Sequence, residues 1–96
     1  MDSQELRSHL LQRLHHLCSA EHHHEALSAG AEAERLTCEL VVRELSPATR
    51  ELLLWARELL AEGQALVFDS LLEPACRGEG LSRLDEAAHL LLEALA

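Results

Sequence analysis

Leucines and alanines recur along this chain at steps of three and four, the spacing of one face of an α-helix. Leu6, Leu10, Leu14, Leu17 and Cys18 share such a face and predict a first helix from about Ser3 to Cys18. Asp2 or Ser3 can cap it, and Glu5 stands three residues after Asp2, as a capping box requires. The pattern fails over Ser19-Ala20-Glu21-His22-His23, where a turn is expected; a single bent helix running through is the alternative. A second helix is expected from about His24 to Leu45. Its stripe reads Ala26, Ala29 or Gly30, Ala33, Thr37, Leu40 and Val41, small side chains first, so another helix backbone can come close.

Ser46-Pro47 is the sharpest boundary, a capping serine followed by proline in the first helical position. The third helix starts there, with Leu52, Trp55, Ala56, Leu59 and Leu60 as its apolar face. Gly63 can end it as a cap, or lie inside one long helix to Glu73. Leu66, Val67, Ser70 and Leu71 continue the phase and favour the long helix. Pro74 to Gly80 reads as the one clear loop, and Ser82 with Asp85 as a second capping box. The last helix then carries Leu84, Ala87, Ala88, Leu91, Leu92 and Leu95. The expectation is an all-α domain of four to five helices in antiparallel hairpins, with no strand.

Glu25-Ala26 and Glu32-Ala33 echo Glu86-Ala87 and Glu93-Ala94. Alanine at a seven-residue interval suits the close packing of helical-hairpin repeats, so a tetratricopeptide-like array is one reading and an irregular helical bundle the other. The echoes are 61 residues apart, not a whole number of repeats of about 34 residues.

Composition sharpens this picture. Ninety-six residues make one domain, 1–96, and a chain this short buries only about 60–65% of its unfolded surface. Aromatics are 2% of the chain, Trp55 and Phe68, so leucine and alanine must fill the core. Such cores pack less uniquely, which points to completion by a partner or a second copy. The formal charge is −9, and every one of the eight bases is arginine. That balance argues against nucleic acid and anionic membranes and favours basic or amphipathic partners; plain solubility is the other reading. No apolar stretch approaches 18 residues, so membrane insertion is not expected. Cys18, Cys38 and Cys76 suggest no disulfide framework and fit a reducing compartment. The N-terminus lacks the pattern of a signal peptide, and a cytoplasmic protein is expected.

The chemistry-bearing residues are mostly histidines. His15, Cys18 and His22 would share one face of a continuous helix, a donor set suited to zinc, nickel or copper. The turn over 19–23 would break that face, and a solvated, histidine-rich helix end is the simpler reading. No specific metal site is therefore expected. His9 and His89 read as boundary residues. Nothing places an orienting carboxylate or an oxyanion donor beside Cys18, and there is no glycine-rich phosphate loop. No catalytic residue, cofactor or enzymatic activity is expected.

Surplus apolar surface is the other feature. Leu52-Leu53-Leu54-Trp55 covers more than one helix face, as does Leu10-Leu11 with Leu14 and Leu17. Helix-in-groove recognition uses such faces, so Leu14, Leu17, Trp55 and Leu59 are the candidate partner-binding residues. The alternative is that all four lie in the domain's own core.

The stretch from Leu10 to Leu36 pairs a leucine-rich helix with the turn His22-His23-His24-Glu25-Ala26 and a small-residue helix through Ala33. It resembles the opening hairpin of the type III secretion needle-subunit co-chaperones. The final portion, Leu72 to Ala96, is similar in its Cys76-Arg77-x-x-Gly80 stretch followed by a helix. The resemblance covers about half the chain. Ser19-Ala20 replaces the family's glycine before the turn, and the tryptophan of its second helix has no counterpart at Leu36 or Thr37. It implies a cytoplasmic protein of tetratricopeptide-like helices that holds an amphipathic helix of a needle subunit in a groove. A chaperone or adaptor is the function expected; a self-associating helical bundle is the alternative, and a bundle binding metal through Cys18 and the histidines is the third reading.

Overall fold

Asp2 starts the first helix as the sequence suggests, its carboxylate accepting the Glu5 backbone N–H at 2.8 Å. The computed structural model describes residues 2–20, 22–71 and 73–95. Met1, Glu21, Leu72 and Ala96, which belong to segments named above, lie outside the described residues. Four helices follow: α1 (Ser3–Ser19), α2 (His23–Arg43), α3 (Pro47–Asp69) and α4 (Cys76–Leu95). Among the described residues there is no strand.

At about 1.5 Å per residue, α3 is about 34 Å long. The molecule measures 40 × 21 × 18 Å, so the helices must lie side by side. Each packs on its neighbour in sequence, and α1 closes onto α4 with a smaller contact. The pairings run antiparallel. Arg7 near the start of α1 meets Glu44 at the end of α2 at 3.3 Å, and Gln64 of α3 meets Glu34 of α2 at 2.8 Å.

The closest approach is between α3 and α4. A Cβ built on Gly63 would stand 2.7 Å from both Leu84 Cγ and Cδ2 and 3.0 Å from the Gly80 carbonyl oxygen. A Cβ on Gly80 would stand 2.8 Å from the Val67 backbone nitrogen. Gly30 of α2 completes the notch, its built Cβ 3.6 Å from Leu84 Cδ2. Leu84, fully buried, therefore fills a hollow left by glycines on two other helices.

This contact bears out the longer of the two readings at Gly63 and explains one departure from the sequence reading, at the start of α4. Gly63 lies inside α3 because the helix must pass α4 there without a side chain. Gly78 and Gly80 belong to α4, which begins at Cys76 and not after a loop through Gly80. Glycine reads locally as a breaker, but at Gly80 the packing on Val67 uses its missing Cβ. Lastly, α3 stops at Asp69, short of Glu73. The Ser70 hydroxyl donates back to the Val67 carbonyl at 2.6 Å and closes the turn.

The two bends between helices need less explanation. Ser46 accepts from Thr49 N–H at 3.5 Å with Pro47 opening α3. Between α1 and α2 the chain is extended at Ala20 and His22, so the two helices are distinct. The expected small stripe of α2 is buried at Ala26, Ala29, Gly30, Ala33, Thr37 and Leu40, joined by Leu36, while Val41 is half-buried. Thr37 donates its hydroxyl to the Ala33 carbonyl at 2.7 Å, and no buried side-chain polar atom among the described residues lacks a partner.

Glycine substitutions in α4 test this packing. Gly78 has nothing within 4 Å of a built Cβ, so Gly78→Ala gains helix propensity and stabilises by about 0.5–1 kcal/mol. Gly80→Ala, two residues on, meets Val67 and destabilises by about 1–3 kcal/mol despite the same gain. Urea unfolding of both variants checks the sign. Two stabilising substitutions would contradict the close approach of α3 and α4.

Candidate functional site

The phase of α3 decides which of its apolar residues face inward. Leu53, Ala56, Leu60, Gly63 and Val67 are buried, at steps of three and four. A run of three leucines fits several phases, whereas Gly63 against Leu84 fits one. Leu52 is half-buried, and Trp55 turns outward with 53% of its surface exposed. Of the four residues named from sequence, Leu14, Leu17 and Leu59 are therefore packed in the domain's core, at 8% exposure or less. Trp55 stands apart on the surface, and the four line no common groove.

The outward face of α3 has an order that the leucine run conceals. Glu51, Glu58, Glu62 and Asp69 are all exposed and lie within about 40° of one another at 100° per residue. Trp55 borders this acidic row on one side. Leu54, Ala61, Ala65 and Phe68 border it on the other, all exposed. Phe68 is 61% exposed, and Val42 and Leu45, beside the α2–α3 bend, are more than 80% exposed. The spacing of the acids marks the solvent face of α3, and it is the signal in the sequence that could have placed Trp55 outside.

Polar groups meet at the seam between α2 and α3. Gln64 Nε2 donates to Glu34 Oε1 at 2.8 Å and to the Leu60 carbonyl at 3.1 Å. Glu34 is half-buried and has no cation within ion-pair distance among the described residues. By contrast Arg35, on the outer side of α2, is committed to Glu32 at 2.6 Å and Glu39 at 2.8 Å. Its guanidinium holds the Glu32 carboxyl below its ordinary range, chiefly through that hydrogen bond.

The histidines cluster at the bend between α1 and α2 without converging. His22 and His24 stack with ring centroids 5.7 Å apart, and His16 Nδ1 lies 3.3 Å from Arg13. Among the described residues no three His, Cys, Asp or Glu side chains form a group able to hold a metal ion. The helix break after Ser19 takes His22 off the face that carries His15 and Cys18. All three cysteines are free. Partial burial pushes the Cys18 thiol above its ordinary pKa, and Asp85 adds to the effect. That is the reverse of the shift that activates a cysteine nucleophile.

No protein-family model, curated protein or solved structure matches the chain. Among the described residues no helix is long and apolar enough to cross a membrane.

Two truncations measure the division between core and surface. Leu59→Ala removes a buried side chain and costs about 2–5 kcal/mol. Trp55→Ala removes a larger but half-exposed one and costs well under the ~3–5 kcal/mol of a buried tryptophan. Thermal melts followed by circular dichroism rank the two. If Trp55→Ala proves the more damaging, the phase assigned to α3 is wrong.

Proposed function

We propose that the chain is a non-catalytic chaperone or adaptor that holds an amphipathic helix of a partner protein. The observation that carries this reading is the outward face of α3. The core closes without Trp55, Leu54 and Phe68, yet the helix presents all three to water. Large apolar side chains left in water along one helix are a signal of an interaction surface. Aromatic anchors such as Trp55 dominate interface energies. Four helices with no strand edge among the described residues favour helix recognition over strand addition. Three free cysteines fit work in the cytoplasm. The resemblance to type III secretion needle-subunit co-chaperones suggests a secreted or needle subunit as the partner.

Self-association is the second reading, favoured by Leu11 and Leu92. These lie on α1 and α4, at 43% and 45% exposure, a helix pair with only a small contact between them. Against it, each copy carries a formal net charge of −9, so two copies repel one another.

Affinity purification from the native host separates the readings. The tagged parent should retain a partner in fixed ratio, and that partner should raise its melting temperature. Trp55→Asp with Phe68→Asp should keep the helical spectrum and lose the partner. A parent that elutes as a partner-free monomer, unchanged by the double substitution, contradicts the adaptor reading. A parent that elutes alone as a dimer supports the second reading.

A further inference from the structure

We infer that the outer side of the α2/α3 seam is a docking groove for a basic amphipathic helix, an assignment that rests on the adaptor reading above. The Glu34–Gln64 hydrogen bond fixes where the two helices meet. One step outward from Gln64 on α3 are Ala61 and Phe68, three residues before and four after it. One step outward from Glu34 on α2 are Ala31 and Cys38, by the same spacing. The middle of the seam thus presents mostly small side chains, Ala31, Ala61 and half-buried Cys38, over which a third helix can come close. Large exposed side chains stand toward its ends, Phe68 at one and Leu54 with Val42 at the other. Leu54 to Phe68 spans about 21 Å, close to four turns of a bound helix.

Charge selects the occupant. Glu34 lies in the seam, half-buried, with a neutral amide as its hydrogen-bond partner and no cation within ion-pair distance among the described residues. A helix laid over it removes more water from that carboxylate, which is unfavourable unless the helix brings a cation. Glu58 and Glu62 line the adjacent rim and make no ion pair among the described residues. Arg57 sits seven residues before Gln64 on the same line, so the demand for cations falls on the half of the groove toward Phe68. A second copy fits poorly. Two-fold pairing through this face would set the row Glu51, Glu58, Glu62 and Asp69 against itself. A lysine- or arginine-flanked helix meets both the apolar shoulder and the rim.

Two synthetic helical peptides of about 18 residues test this. Both carry one leucine–alanine face; one has lysine and arginine flanks, the other glutamate. Binding of each labelled peptide is read by fluorescence anisotropy. The basic peptide should bind at least about tenfold more tightly and weaken as salt is raised. Glu58→Arg with Glu62→Arg should cost about tenfold or more, as should Phe68→Asp, with circular dichroism confirming the fold. Leu11→Asp, an exposed position on α1 away from this seam, should leave this peptide's affinity unchanged. Equal binding of both peptides, or an unaffected charge-reversed variant, overturns the basic groove while leaving the adaptor reading standing. Loss of binding in Leu11→Asp alone overturns the location. Failure of the basic peptide to bind overturns the groove itself, and co-purification from the host then decides the adaptor reading separately.

Discussion

Leu84 fills a hollow that exists because Gly63 and Gly30 have no side chains, and much of the molecule's arrangement follows from that contact. Once Leu84 lies against Gly63, α3 and α4 must cross closely, and Gly80 brings the α4 backbone against Val67. The rotation of α3 about its axis is then fixed. Leu53, Leu60 and Val67 turn inward, and Trp55 and Phe68 turn out. In a domain that has two aromatic residues and spends neither on its core, close backbone approach takes the place of bulky anchors. Interior packing is sensitive to single methyl groups, so glycines at such a crossing specify one arrangement where leucines alone would allow several.

The sequence made the helices legible wherever capping chemistry and periodicity agreed. Asp2, Ser46 and Pro47 mark helix starts by side-chain chemistry that acts within one turn, and those starts are where the structure has them. The start of α4 was not legible. Gly78, Gly80 and the Ser82–Asp85 pair argue locally for a loop and a later cap, and only the contact with Val67, distant in sequence, explains a helix from Cys76. Site residues were legible to a similar degree. Leu14, Leu17 and Leu59 were flagged by hydrophobicity, which marks core and interface alike, and they are core. Trp55 is on the surface, but its phase could be read only from the acids at 51, 58, 62 and 69, not from the leucines beside it.

These facts bear on function through what is left outside. The core closes on leucine and alanine, with one valine, and leaves Trp55, Leu54 and Phe68 outside it. Trp55, Leu54 and Phe68 flank one acidic row on α3, and Val42 and Leu45 stand at the α2–α3 bend, while Leu11, Leu71, Leu81 and Leu92 are exposed elsewhere. Greasy shoulders beside uncompensated carboxylates suit a partner that is both apolar and basic, and they discourage the chain from pairing with itself.

The orientation of Trp55 is the point on which fold and function meet, and it is the only tryptophan in the chain. Its fluorescence in the isolated, folded protein tests the account most directly. A half-exposed indole should emit close to free tryptophan in water and be readily quenched by acrylamide, with both properties changing little on unfolding in urea. A blue-shifted, quencher-protected emission that moves to the red on unfolding would place Trp55 in the core, and would contradict both the phase of α3 and the binding face built on it.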